Sequence, residues 1–168
     1  MSAEDTRPAR ELSRSARRVA DELQRRGSDV EVIELPTSAR TAAEAAAAVG
    51  CDISQIAKSL VFRTARTQRP VLVIASGSNR VDVAAISSHL GERIMRAEPD
   101  WVRETTGFAI GGIPPIGHRT EAVTYIDEDL MQLEQIWAAG GSPSAVFRLT
   151  PAELAFLTGG TVLRLALE

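Results

Sequence analysis

The sequence predicts an α+β fold, a mixed β-sheet with helices packed on its outside. Three observations lead there. Segments with a helical apolar period are interspersed with short alternating or continuous apolar runs. Several of the strand-like runs follow one another directly, which disfavours a doubly wound parallel sheet. Glycine, proline, serine and aspartate mark almost every boundary between runs.

The elements read in order. Residues 10–26 place Leu12, Ala16, Val19 and Leu23 on one helical face, and Gly27 stops the helix. Residues 29–35 alternate like a half-buried strand that Pro36 ends. Thr41 and Glu44 have capping-box spacing before an alanine-rich helix closed by Gly50. "QIAKSLVFRT" becomes strand-like near Lys58, and "VLVIA" (71–75) is a fully apolar strand. After the turn 76–81, Asp82 caps a helix running to His89, with Gly91 as its stop. Pro99 opens a helix that finishes at Gly107. Strands are expected at 122–126, 133–139 and 144–149, with "AGGSP" as the turn between the last two. Thr150 and Glu153 repeat the capping-box spacing before "LAFLTG", and "TVLRLAL" is a last strand.

With 168 residues, 44% hydrophobic and 24% charged, the chain suits one domain spanning 1–168 with a sizeable core. A lone cysteine, Cys51, excludes a disulfide framework and a cysteine-rich zinc site. Cys51 precedes Asp52, a poor setting for a nucleophilic thiolate. No apolar run is as long as a membrane span, and "MSAEDTRPAR" has no signal-peptide apolar region, so a cytoplasmic protein with no membrane partner is expected. The net charge of −3 argues against a chain that coats DNA or other nucleic acid non-specifically. The charge is uneven: residues 58–103 hold eight basic and four acidic groups, and residues 104–168 hold three and eight.

Two features stand out. Of 19 basic residues, only Lys58 is a lysine. It is either a compositional remnant or a place that needs a compact ammonium where a planar guanidinium would not fit. "TGFAIGGIPPIGH" (106–118) packs Gly107, Gly111, Gly112 and Gly117 around Pro114 and Pro115 with almost no charge. Such a loop is stiff and its remaining backbone amides point in set directions.

Most chemistries find no motif. "Ala57-Lys58-Ser59" lacks the glycines of a phosphate-binding loop, and the glycine-rich loop is not a dinucleotide fingerprint. His89 and His118 are 29 residues apart with no metal-ligand spacing, so no metal and no cofactor are expected. "SGSN" is not a serine-hydrolase elbow. His118 reads first as a loop anchor, Asp82 as a helix cap, and Ser76, Asn79 and Ser142 as turn formers. Trp101 and Trp137 read as packing residues. A lysine, an amide-rich loop and small polar turns can serve hydrolysis of an activated ester by positioning and oxyanion stabilisation. They equally suit a binding pocket without chemistry.

The succession "QIAKSLVF", "VLVIASGSNRVD", "TGFAIGGIPPIGH" and "IWAAGGSPSAVFRLTPAELAFLTG" resembles the YbaK family of aminoacyl-tRNA deacylases, relatives of the editing domain of bacterial prolyl-tRNA synthetases. The likeness runs from about residue 10 to 165, and its most specific part is the Ile56-x-Lys58-x-Leu60 strand followed by the glycine-proline loop. It implies a strongly curved, partly barrel-like mixed sheet and metal-free hydrolysis of mischarged aminoacyl-tRNA carrying a small residue, such as cysteine or alanine on tRNA(Pro). It assigns Lys58 to holding or activating the aminoacylated 3′ end. It gives Gly111, Gly112, Ile113, Pro114 and Pro115, with Gly117 and His118 beside them, to the aminoacyl pocket. The turns contribute Ser76, Gly77, Asn79 and Asp82, and Gly140 and Ser142. The expected partners are the aminoacyl-tRNA 3′ end and an aminoacyl-tRNA synthetase. A non-catalytic binding module or regulator on the same scaffold is the alternative.

Overall fold

Both faces of the strand 70–76 are covered, which is why its sequence is apolar without alternation. In the computed structural model, which describes residues 11–168, this strand lies inside an eight-stranded mixed sheet. The strands are β1 (Val32–Glu34), β2 (Ile56–Thr64), β3 (Pro70–Ser76), β4 (Ile94–Arg96), β5 (Val123–Asp127), β6 (Ile136–Ala139), β7 (Ala145–Leu149) and β8 (Thr161–Leu163). The helices are α1 (Arg14–Arg25), α2 (Ala42–Val49), α3 (Val83–Leu90), α4 (Pro99–Thr106) and α5 (Pro151–Thr158).

The order across the sheet is β1-β7-β6-β2-β3-β5-β8, with β4 also on β2. β2 runs antiparallel to β3 and β4 and parallel to β6; β5 runs parallel to β3 and β8. The predicted α+β class with a mixed sheet is the one observed. The sheet is open, with β1 and β8 at its two ends, and is not closed into a barrel. Leu72 and Ile74 of β3 join one core with α1, α4 and α5 residues, while Val71, Val73 and Ala75 join a second with Ile86 of α3, Tyr125 and Leu165.

The helix boundaries follow the capping residues. Ser13, Thr41, Asp82 and Thr150 each accept a backbone N–H at the start of a helix. Gly50, Gly91, Gly107 and Gly159 close four of the helices in the left-handed conformation. Thr150 and Glu153 form the expected capping box, but the Thr41–Glu44 pair forms only half of one, because the Thr41 hydroxyl donates to the Glu44 carboxylate. The complete second box is at Asp52 and Gln55, in a 3-10 turn. The expected strand 133–139 begins at Ile136, because Asp127 caps a 3-10 turn over 128–132. The strand β4 has no counterpart in the sequence reading, and "TVLRLAL" is a strand only over its first three residues. Of the helix expected over 10–26, residue 10 lies outside the described residues, and the helix itself starts at Arg14.

Helix α1 runs behind two loops. Its Arg18 donates to Gly107 O (3.2 Å) and lies 4.7 Å from the Phe108 ring centroid; Arg26 donates to Leu157 O. Gly141, at φ +103°, brings its Cα so close that a Cβ would stand 2.6 Å from Ser15 O and 2.9 Å from Val19 Cγ2. Gly141→Ala is therefore expected to lower folding stability by about 1–3 kcal/mol, measured as a reduced urea midpoint with unchanged slope.

Candidate active site

Strand β2 is paired along its whole length on one edge and only at its ends on the other. The Gly77 amide donates to Ile56 O (2.7 Å) and the Thr64 amide to Arg69 O (2.9 Å), so the even-numbered residues turn their peptide groups to the β3 side. The odd-numbered residues turn theirs to the opposite edge. There β6 flanks Ile56 and Ala57, and β4 flanks Phe62–Thr64; among the described residues no strand pairs with 58–61. The peptide groups of Ser59 and Val61 therefore face a gap in the sheet.

A cavity of about 500 Å³ occupies this gap. Its walls come from β2, α2 and the residues before it, β6, the loop at 110–113 and the turn at 142–143. Most of the lining is apolar, from Ala42, Ala45 and Val49 to Trp137 and Ala138. The Ser59 hydroxyl is shut off from solvent without a hydrogen-bond partner, a polar atom on an otherwise apolar wall.

Lys58 lines the same cavity. Its Nζ donates to Asn79 O at 2.7 Å, and burial lowers its pKa, while the charge of Asp127 acts in the opposite direction. The carbonyl that receives it is fixed by a buried carboxylate. Asp127 Oδ2 accepts from the Ser76 amide (3.0 Å) and from Asn79 Nδ2 (2.8 Å), and Oδ1 from the Asp129 amide (3.0 Å). Ser76 Oγ donates to Ser54 O (2.7 Å), tying the turn to the segment that leads into β2. One ammonium is thus oriented by a turn in which the Ser76, Gly77 and Asn79 amides are all engaged.

A profile of the aminoacyl-tRNA editing domain matches residues 37–157. This chain belongs to the aminoacyl-tRNA editing domain family. It is 35% identical over 124 residues to the uncharacterised protein YwhH of Bacillus subtilis, covering 74% of this chain and 78% of that one. It is 26% identical over 121 residues to the "Putative Cys-tRNA(Pro)/Cys-tRNA(Cys) deacylase EbsC" of Enterococcus faecalis (71% and 73% covered). A crystal structure named "a putative trans-editing enzyme for prolyl tRNA synthetase" superposes with a TM-score of 0.89 at 49% identity, covering 94% of this chain and all of that one.

In this editing domain the expected site residues divide. Lys58, Gly111, Ile113 and Ser142 line the cavity, and Asn79 holds Lys58 through its carbonyl. Gly112 stands behind: a Cβ there would come within 2.5 Å of the Ser142 carbonyl carbon, so the two loops touch backbone to backbone. Ser76 and Gly77 shape the supporting turn. Pro114 is buried behind the loop, outside the lining. Pro115, Gly117 and His118 instead face a separate polar hollow that also includes Arg26. His118 Nε2 donates to Pro114 O (2.6 Å), which makes it an anchor of the loop from behind. Asp82 Oδ1 caps α3 through the Ala85 amide, and Gly140 is packed against Val32 and Ala145; neither lines the cavity.

The sequence reading passed over Asp127, Arg40, Phe62 and Arg96. Asp127 could have been noticed as the polar end of the run "VTYID", at a position that the sheet buries completely. Cys51 has its pKa raised by burial and then by Asp52, which keeps it a thiol. Among the described residues no three His, Cys, Asp or Glu side chains cluster as metal ligands, and no helix is long and apolar enough to cross a membrane.

His118 supplies a pH test of the loop anchor. Burial, and less strongly the Arg26 charge, lowers its pKa against the opposing Pro114 bond, and its Nδ1 is buried without a partner. Below the ordinary histidine value the unfolded chain binds the proton more readily than the folded one, so stability falls as pH drops through this range. Urea unfolding between pH 7.5 and 5 is expected to show this loss, and His118→Gln should flatten that part of the profile. Equal slopes for parent and variant would remove His118 as its source.

Proposed function

We propose that this chain hydrolyses the ester of a mischarged aminoacyl-tRNA carrying a small amino acid, acting in trans beside a prolyl-tRNA synthetase in the cytoplasm. The observation that carries this reading is the lone lysine, held by Asn79 O at the wall of an apolar cavity on the unpaired edge of β2. The similarity to proteins named for Cys-tRNA deacylation and prolyl-tRNA editing supports the same chemistry, with cysteine or alanine on tRNA(Pro) as the substrates to try first.

The ester carbonyl sits against the ammonium of Lys58, which stabilises the oxyanion as water adds to the carbonyl carbon. The bond from that carbon to the ribose oxygen then breaks, and the leaving oxygen takes a proton relayed by the neighbouring ribose hydroxyl. No general base from the protein is required. The open-edge peptide groups of β2 offer hydrogen bonds to the aminoacyl group. The lining holds no carboxylate, so a basic side chain finds no counter-charge there. Discrimination by size in such a pocket is about 1–3 kcal/mol per methylene, enough for a second sieve after a synthetase's own selection.

Lys58→Ala and Lys58→Arg are both expected to lower kcat/KM on alanyl- or cysteinyl-tRNA(Pro) by roughly 10²–10³, with folded circular dichroism spectra. Arginine keeps the charge but is wider and planar, so an arginine variant as active as the parent would overturn the role given to Lys58. The reaction is also expected to survive prolonged EDTA treatment followed by desalting. Loss that zinc reverses would place a metal in the mechanism. Binding of charged tRNA without any turnover would make the protein a non-catalytic module.

A further inference from the structure

The cavity lining contains three charged side chains, Lys58, Arg40 and Arg96, and all are cationic. Lys58 has the supporting turn described above. The two arginines have no such engagement: among the described residues neither guanidinium has a carboxylate within 4.0 Å. Both residues are exposed. Glu98 and Asp100, the acids that follow Arg96 in sequence, are exposed at the start of α4 and do not line the cavity. Two unpaired guanidiniums at the rim of an apolar cavity repel each other and Lys58, so the arrangement favours an anion.

Their placement narrows the anion. In the β2–β4 register Arg96 lies opposite Phe62, on the sheet face that also carries Lys58 and Leu60. Phe62 is four residue steps along the strand from Lys58, about 13 Å at the rise of a β-strand. An aminoacyl group at Lys58 does not span that distance, and the chain that leads to it does. Phe62 is half-buried and lines the cavity next to its register partner Arg96, two residues along the strand from Leu60. On the other wall the Arg40 stem packs at Gly111, where an ideal Cβ would be 3.7 Å from Arg40 Cγ. Cations beside an aromatic face are what single-stranded nucleic acid uses, phosphates on the cations and a base on the ring.

We propose that Arg96, Phe62 and Arg40 form a binding track for the single-stranded 3′ end of the RNA, with the arginines on backbone phosphates and Phe62 under a base. The inference rests on the reading of the site as one for a tRNA ester, but it concerns phosphates that lie outside the ester.

The test combines RNA binding with hydrolysis. The first measurement is fluorescence anisotropy of a labelled, uncharged single-stranded RNA ending in CCA, titrated at several salt concentrations. Arg40→Ala and Arg96→Ala are each expected to weaken binding about tenfold and to flatten the plot of log Kd against log salt by about 0.7 per lost phosphate contact. Phe62→Leu should weaken binding and leave the salt slope as in the parent. Lysine at either arginine position should restore the slope. The second measurement compares charged tRNA with aminoacyl-adenosine, which has no phosphate; the arginine variants should lose more kcat/KM on the tRNA. Parent-like Kd and salt slope in both arginine variants, a parent that binds no RNA, or equal losses on both substrates would overturn the track. A parent that binds RNA through these residues and hydrolyses neither substrate would remove the proposed reaction and leave the track standing.

Discussion

The site depends on a pairing that strand β2 does not make. β3 holds one edge of β2 throughout, so the strand remains rigid while the other edge is open between β6 and β4. An unpaired edge inside a sheet exposes peptide groups that need partners, and it usually invites another strand. Here the opening is walled by α2, the loop at 110–113 and the turn at 142–143, which shape it into a cavity. The odd-numbered peptide groups at 59 and 61 then face the cavity, while Lys58, on an even position, is backed by the fully paired edge. Catalytic groups on such a strand can be placed accurately because the strand itself cannot shift.

Two loops and one helix set the width of that opening. Gly112 and the Ser142 backbone touch directly, and α1 rests against Gly141 on one loop and Gly107 on the other. His118 holds Pro114 from the far side. Glycine at the contacts and proline beside them leave little slack between the two loops. Helix α1 lies before residue 37, where the family match begins, yet it contributes to both loops. The support of the site is therefore wider than the portion that the family profile recognises.

Much of this was legible in the sequence. Capping residues and left-handed glycines marked four of the helices within a residue or two, because their hydrogen bonds are local, whereas α1 starts four residues later than its apolar period suggested. The run "VLVIA" announced a strand covered on both faces. Lys58 was visible as the single exception to an arginine preference, and the glycine-proline loop by its composition. The rest depends on long-range placement. β4 is three residues long and exists because β2 offers an edge, which no local pattern encodes. Asp127 looks like a strand end until Ser76 and Asn79 are brought to it from about fifty residues away. His118 and Gly117 follow the loop in sequence and lie away from the cavity in space, beside Arg18, Glu22 and Arg26 of the first helix region. Arg40 and Arg96 are two arginines among eighteen, and only the cavity singles them out.

The arginine preference has one more consequence. Lys58 is the only side-chain amine in the protein, and burial makes it easier to deprotonate than a lysine in water. Amine-directed reagents thus have a single side-chain target, and it is inside the site. With the α-amino group blocked, a fluorophore or isotopic label attached by ordinary lysine chemistry would report on the cavity, and protection of that amine by a bound ligand would read out occupancy without any engineered handle.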